Sequence, residues 1–265
     1  MKLAFMSFSC PELSLEEILA LARRLGYDGL ELRISSEHKH EIDYDSTASF
    51  RTNCRDTAEK AGISLCCVAT SCVYANPDTR ETMTENTHKA IDLAGDIGAP
   101  CIRVFGGTIP EGISREQAID GVAESFRSVA DHAAERNVAV CMETHDDWCD
   151  PSHVAAVLRQ VAHPAIAANW DIMHPVKTCN ISIERSFEIL KEWIKHVHFH
   201  DGKFDENQKF GLTPVGQGMI NHALAVKLLK NSEYSGFMSG EWIDWEPYEI
   251  HLPRELDTMR GYEKD

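Results

Sequence analysis

His196-Val197-His198-Phe199-His200-Asp201 alternates imidazole with apolar side chains. Read as a β-strand, it places His196, His198 and His200 on one face and Val197 and Phe199 on the other. A strand buried on both sides normally carries branched apolar residues on both faces. Three imidazoles on one face therefore need an explanation. One is a hydrogen-bonded polar core or a wet strand end. The other is that one of these histidines binds a metal at the strand's carboxyl end.

Outward from this stretch, the chain repeats a short apolar strand followed by a helical segment, eight times. The strands are expected at 3–9, 28–34, 63–70, 101–107, 138–145, 166–172, 196–201 and 236–242. Ser14-Leu-Glu-Glu17 and Ser114-Arg-Glu-Gln117 open helices as capping boxes, and Asp150-Pro151 opens one with a cap and a first-turn proline. A last helix is expected over 253–262. Eight such units in about 250 residues are the size and count of a (β/α)8 TIM barrel. The alternative, a doubly wound sheet, favours a Gly-rich phosphate loop after the first strand, and Ser9-Cys10-Pro11-Glu12 is not one. No linker or low-complexity segment interrupts the pattern, so residues 1–265 read as a single domain.

Apolar residues make up 43% and charged residues 26%, the balance of a globular protein. No apolar run approaches the ~20 residues needed to span a bilayer. The N-terminal stretch reads as a first strand, not as a secretion signal. The 9 cysteines are odd in number, fall largely in apolar runs and show no CxxC pair, which suits reduced thiols and a cytoplasmic location. Acidic residues outnumber basic ones 42 to 26, giving −16, with no Lys/Arg run. Such a surface argues against nucleic acid and anionic membranes as partners.

Strand alternation locates the polar residues. In the fifth strand Glu143 and His145 oppose Val140 and Met142; in the sixth Asn169 and Asp171 oppose Ala168 and Trp170. In the eighth, Ser239 and Glu241 oppose Met238 and Trp242. Each time the polar residue falls on the axial face near the strand's carboxyl end, where barrel active sites are built. Glu143, Asp171, His198 and Glu241 can thus converge. Three carboxylates and an imidazole make a hard site suited to one divalent metal, Mn²⁺ first, with Mg²⁺, Co²⁺ or Zn²⁺ as alternatives. Glu31, Arg33 and Arg103 also face inward, either as a structural Glu–Arg pair or as substrate contacts. His145 and His200 are candidates to support the ligands or touch substrate. The tryptophans are more readily packing groups than walls of a sugar pocket.

Glu143-Thr-His145, Asp171-Ile-Met-His174, His198-Phe-His-Asp201, Gly216-Gln-Gly218 and Gly240-Glu241-Trp242 occur in order. Together they resemble the xylose-isomerase-like barrel superfamily of sugar-phosphate isomerases and epimerases. The resemblance covers the last four strands and extends loosely to the first two. It implies that Glu143, Asp171, His198 and Glu241 are the metal ligands and that His174 contacts substrate. It further implies isomerase or epimerase chemistry on a small sugar, keto-sugar or polyol derivative. In that chemistry a metal-stabilised enediolate forms, with Glu143 and Glu241 exchanging protons and His174 and Lys203 steadying charge. Ketose 3-epimerases place an arginine six residues after the strand-seven histidine; here Phe204 stands there, beside Lys203. The same enediolate serves a lyase, of the inosose dehydratase kind or of the C-glycoside-cleaving kind that works with a second subunit. A homo-oligomer is a further expectation, and an endonuclease is the remotest reading.

Overall fold

The computed structural model describes residues 1–264. Eight parallel strands close into a barrel: β1 (Lys2–Met6), β2 (Gly29–Arg33), β3 (Ser64–Ala69), β4 (Cys101–Val104), β5 (Ala139–Glu143), β6 (Ile166–Asp171), β7 (Ile194–Phe199) and, after a two-stranded hairpin of β8 (Asp201–Phe204) and β9 (Phe210–Thr213), β10 (Phe237–Gly240). Neighbours in sequence are neighbours in the barrel, and β10 closes it against β1. Outside run helices α1 (Leu15–Leu25), α2 (Ala48–Ala61), α3 (Arg80–Ile97), α4 (Arg115–Glu135), α5 (Pro151–Val161), α6 (His174–Cys179), α7 (Ile183–Leu190), α8 (His222–Asn231) and α9 (Tyr248–Lys264). The fold is the (β/α)8 barrel expected from the sequence.

Local chemistry sets the helix starts. Ser14 and Ser114 each accept a backbone N–H from the third helical residue, and Glu17 and Gln117 return the bond. Asp150 caps α5, with Pro151 at its first position. Each cap contributes about 1 kcal/mol.

The expected strand ends ran too far. The second strand stops at Arg33 and the fifth at Glu143. His145 precedes a 3₁₀ turn at Asp146–Trp148, and Glu241 lies one residue past β10. Polar side chains at the mouth bond to one another and to loops, so the ladder ends beneath them. Pro253 does not open the last helix. It lies inside α9, which begins five residues earlier. The β8–β9 hairpin and the short α6 were not anticipated.

Two apolar regions follow from the alternation. Val140, Met142, Ala168, Trp170, Val197, Phe199 and Met238 face outward, have no exposed surface, and form one core with the helices. A separate cluster fills the base of the barrel: Ala4, Cys66, Cys67, Cys101, Ala139, Cys141, Ala167 and Phe237. Above it the inward positions turn polar. Strand register puts Phe237 beside His196, His196 beside Asn169 and Asn169 beside Glu143; Ser239, His198 and Asp171 lie one level higher.

Candidate active site

Glu143, Asp171, His198 and Glu241 converge at the carboxyl ends of β5, β6, β7 and β10. Each offers a ligand atom, all four within 4.8 Å of one another, and all four residues are buried. Asp171 shows how such a group is aimed. Its Oδ1 accepts N–H groups from Met173 and His174 at the start of α6, at 2.8 and 3.0 Å. Its Oδ2 is left buried without an aligned hydrogen-bond donor, as is Oε2 of Glu143. Arg103 brings Nε to 3.1 Å from that Glu143 oxygen, but neither atom makes an aligned hydrogen bond. Buried oxygens left this way cost free energy unless a cation meets them.

His198 is held from two sides. Its Nε2 lies 3.1 Å from both oxygens of Glu31, and its Nδ1 lies 3.1 Å from Glu143 and 3.5 Å from Glu241. A proton on Nε2 donated to Glu31 leaves Nδ1 free to act as a ligand. Burial alone would lower the proton affinity of His198, but Glu31, Glu143 and Glu241 outweigh it and raise the imidazole well above its ordinary value. Burial would likewise raise Glu241, yet His198 and Arg103 hold it down to about 2. Burial also opposes ionisation of Asp171, and His200 and His174 overcome it, keeping the carboxyl ionised.

The other expected residues fall into three groups. His174 and His200 line one side of Asp171, and His145 stands against His174. His200 Nε2 is 2.9 Å from Asp171 Oδ2 and His174 Nε2 is 3.9 Å away. The rings of His145 and His174 meet edge-on at 4.4 Å. Burial lowers His174, whereas the closer carboxylate outweighs burial at His200 and raises it. His145 is raised to about 9: burial opposes the charge, and the Asp146 carboxylate, 2.8 Å from its Nδ1, prevails. Glu31 and Arg103 form the second group, wholly inside the barrel. The interior ion pair is Arg103 with Glu143; Glu31 instead bonds to His196 at 2.9 Å and to His198. Arg103 also donates to the Thr70 carbonyl and lies over the Phe105 ring. Lys203 makes the third group alone, exposed on the hairpin strand β8. Trp148, Trp170 and Trp242 are buried packing groups.

The sequence reading did not single out Asn169 or Ser239 as site residues. Asn169 Nδ2 sits 3.1 Å from His198 Nδ1, and its Oδ1 has no partner; Ser239 Oγ is also buried and unpartnered. Both share inward faces with the expected ligands, and that was the available signal. Asp201 has a structural task. Its carboxylate accepts backbone N–H groups from Gly202, Gly216, Gly218 and Ile220 at 2.8–3.1 Å. A Cβ at position 218 would lie 2.1 Å from Asp201 Oδ1, which is why a glycine stands there.

The four-ligand set fits a divalent metal. Three carboxylates, two of them with an unsatisfied buried oxygen, and one imidazole make an oxygen-rich set of the kind that holds Mn²⁺ or Mg²⁺.

A closed parallel barrel with chemical groups gathered at its carboxyl mouth defines the class: a (β/α)8 barrel built in the manner of the barrel enzymes. The chain belongs to the xylose isomerase-like TIM barrel family, whose model matches residues 19–261. Among solved structures it is similar to a probable 3-DHS dehydratase, AsbF, involved in petrobactin synthesis in Bacillus anthracis (20% identity, 98% of this chain and 99% of that one, TM-score 0.82). It is also similar to an L-ribulose 3-epimerase (14% identity, 100% and 95%, TM-score 0.80). A third is the D-allulose 3-epimerase of Methylomonas sp. in complex with D-allulose (14% identity, 99% and 97%, TM-score 0.78). Identities this low establish a shared fold. No curated protein sequence matches the chain. Among the described residues no helix is long and apolar enough to cross a membrane.

Proposed function

We propose that this protein is a divalent-metal-dependent isomerase or epimerase of a small sugar, keto-sugar or polyol derivative. The observation that carries the reading is the convergence of Glu143, Asp171, His198 and Glu241, buried, at the barrel's mouth. A divalent cation held there, Mn²⁺ in the first instance, supplies Lewis acidity to a substrate carbonyl and its neighbouring hydroxyl. The protein's residues do the rest. One of Glu143 and Glu241 removes the proton from the hydroxyl-bearing carbon next to the carbonyl, giving an enediolate. The other returns a proton from the opposite side, to the same carbon in an epimerisation or its neighbour in an isomerisation. Asp171 anchors the His200 side of the site, and Glu31 fixes the ring of His198. His145, His174 and His200 form a wall of hydrogen-bonding groups suited to sugar hydroxyls and to developing negative charge.

A lyase is the second reading, supported by the likeness to a probable dehydratase. In that case the enediolate expels a β-hydroxyl as water. The test is incubation of the Mn²⁺-loaded protein in D₂O with ketohexoses, pentuloses, inososes and dehydroshikimate-type acids, followed by NMR. An isomer carrying deuterium at the reacting carbon supports the first reading, and a dehydrated product supports the second. Absence of exchange with the whole panel would count against both.

A further inference from the structure

Below the mouth, the base of the barrel contains a second cluster of ligating groups. Cys67 on β3, Cys101 on β4 and His196 on β7 each offer a ligand atom, all within 4.8 Å of one another, and all three are buried. They have no part in the chemistry proposed above. Their surroundings are the apolar and thiol groups of the base, Ala4, Ala139, Ala167, Cys141 and Phe237. A cavity of about 730 Å³ opens at the amino-terminal end of the strands, and Cys66, Cys101 and His196 are among its walls. Two of the three groups, Cys101 and His196, are thus approached from the base and not from the mouth.

His196 is already arranged as a ligand. Its Nε2 is 2.9 Å from Glu31 Oε2, and donation of that N–H fixes the ring and leaves Nδ1 as the free nitrogen. Ligating histidines commonly lean on a carboxylate in this way. The donor set also differs in kind from the mouth: two thiols and one imidazole against three carboxylates and one imidazole. Thiolates select soft ions, and a Cys₂His set leaves a fourth position open. The lysines at the cavity rim are engaged elsewhere: Lys2 lies over the Phe237 ring, Lys191 pairs with Glu188, and Lys195 donates to the Pro164 carbonyl.

We infer that Cys67, Cys101 and His196 form a second metal site, at the base of the barrel, for a soft divalent ion of the Zn²⁺ class. Binding deprotonates both thiols and releases their two protons to solvent. No electron transfer is involved. Its thiols are not part of the mouth; the two sites touch at Glu31, which supports His196 on one side and His198 on the other, and at the edge-on rings of these two histidines, 5.3 Å apart.

The test uses Cd²⁺ as probe on reduced, full-length protein whose mouth has first been loaded with Mn²⁺. Cadmium bound to thiolate gives an ultraviolet charge-transfer band, which carboxylate and imidazole ligands do not produce. The expected result is a band that saturates at one Cd²⁺ per chain. It disappears in Cys101→Ala and in Cys67→Ala, and survives in Cys179→Ala, which removes the exposed cysteine. Mn²⁺ bound at the mouth, followed by its electron paramagnetic resonance, stays within about twofold of wild type in the Cys101→Ala variant. Absence of the band in wild-type protein overturns the proposal, and so does a band lost only in Cys179→Ala. Should one cysteine variant fail to fold, the wild-type titration and the other variants still decide.

Discussion

The base and the mouth of this barrel are built from the same strands, two residues apart. Cys101 lies below Arg103, Cys141 below Glu143, Ala167 below Asn169 and Asp171, and Phe237 below Ser239 and Glu241. The lower level is apolar or weakly polar, and its hydrogen bonds are few. The upper level concentrates carboxylates, imidazoles and a guanidinium, several with buried atoms that lack a partner. Identical backbone geometry thus carries a stabilising layer and, one pleat higher, a costly one. The comparison teaches that the strand sets where a side chain points, while the residue at each level sets whether that position stabilises the fold or is held ready for chemistry.

The largest expected effect is at the centre of the upper level. His198→Ala removes a proposed ligand and leaves Glu31 and Glu143 buried without their shared partner. Such a break costs about 3–5 kcal/mol, and the variant should lose bound divalent metal and turnover. Elemental analysis and urea denaturation measure both; wild-type metal content would take His198 out of the site. Next come Glu143→Gln and Glu241→Gln, which keep the shape and remove the base. With Mn²⁺ occupancy verified, each should lose about 10²-fold or more in turnover, and at least one should lose exchange of substrate hydrogen with D₂O. Near wild-type turnover in metallated Glu241→Gln would leave it a ligand only and make His174 the next proton-transfer candidate.

Glu31→Gln should weaken Mn²⁺ binding about 10- to 100-fold, the usual range when a carboxylate behind a ligating histidine is lost. Unchanged affinity would make Glu31 purely structural. At the base the expectation reverses: Cys141→Ser places a hydroxyl among thiols and methyls and should cost about 1–3 kcal/mol of stability, with turnover per folded molecule unchanged. A fall in turnover would erase the distinction between the levels.

The smallest effect concerns pH. His40, near the mouth, is buried and hydrogen-bonds to Ser7, and burial pushes its imidazole from 6.5 down to about 4. The folded chain binds this proton less readily than the unfolded chain. Its contribution to stability is therefore complete above about 6.5 and is lost as pH falls towards 4. Without a bound ion, burial holds the Cys67 thiol well above its ordinary value, so it does not titrate in that window. Urea midpoints between pH 7 and 4 should fall less steeply in His40→Gln; equal slopes would exclude His40 as a contributor.

Much of this arrangement was legible in the residues. Alternation along four strands put Glu143, Asp171, His198 and Glu241 on the axial face, because side-chain direction in a strand depends only on parity. Contacts between strands far apart in sequence were not legible. Glu31 finds His196 and His198 across the barrel, 165 and 167 residues away, and an intended Glu–Arg pair became Arg103 with Glu143. Such partners depend on shear and register, which no local pattern encodes. Strand ends were overextended for a related reason, since a polar residue at the mouth leaves the ladder only once its tertiary partner exists. The hairpin escaped because Asp205-Glu-Asn-Gln-Lys209 between its strands reads as loop, and the alternation beside it, Phe210 and Leu212, is only four residues long.

Asp201 has a consequence for how this protein can change over generations. One carboxylate fastens both ends of the segment after β7, taking Gly202 at its start and Gly216, Gly218 and Ile220 at its close. The hairpin between them is thereby closed at one carboxylate, and Phe210, Leu212 and Val215 pack against the core beyond it. Doubling the length of such a closed segment costs only about 0.6 kcal/mol in chain entropy. Insertions, deletions and new side chains can accumulate in the hairpin's exposed turn, 205–209, while the Asp201 clip keeps the strand above which they hang in register. Substrate preference, if it is written in that segment, is free to drift without disturbing the groups that do the chemistry.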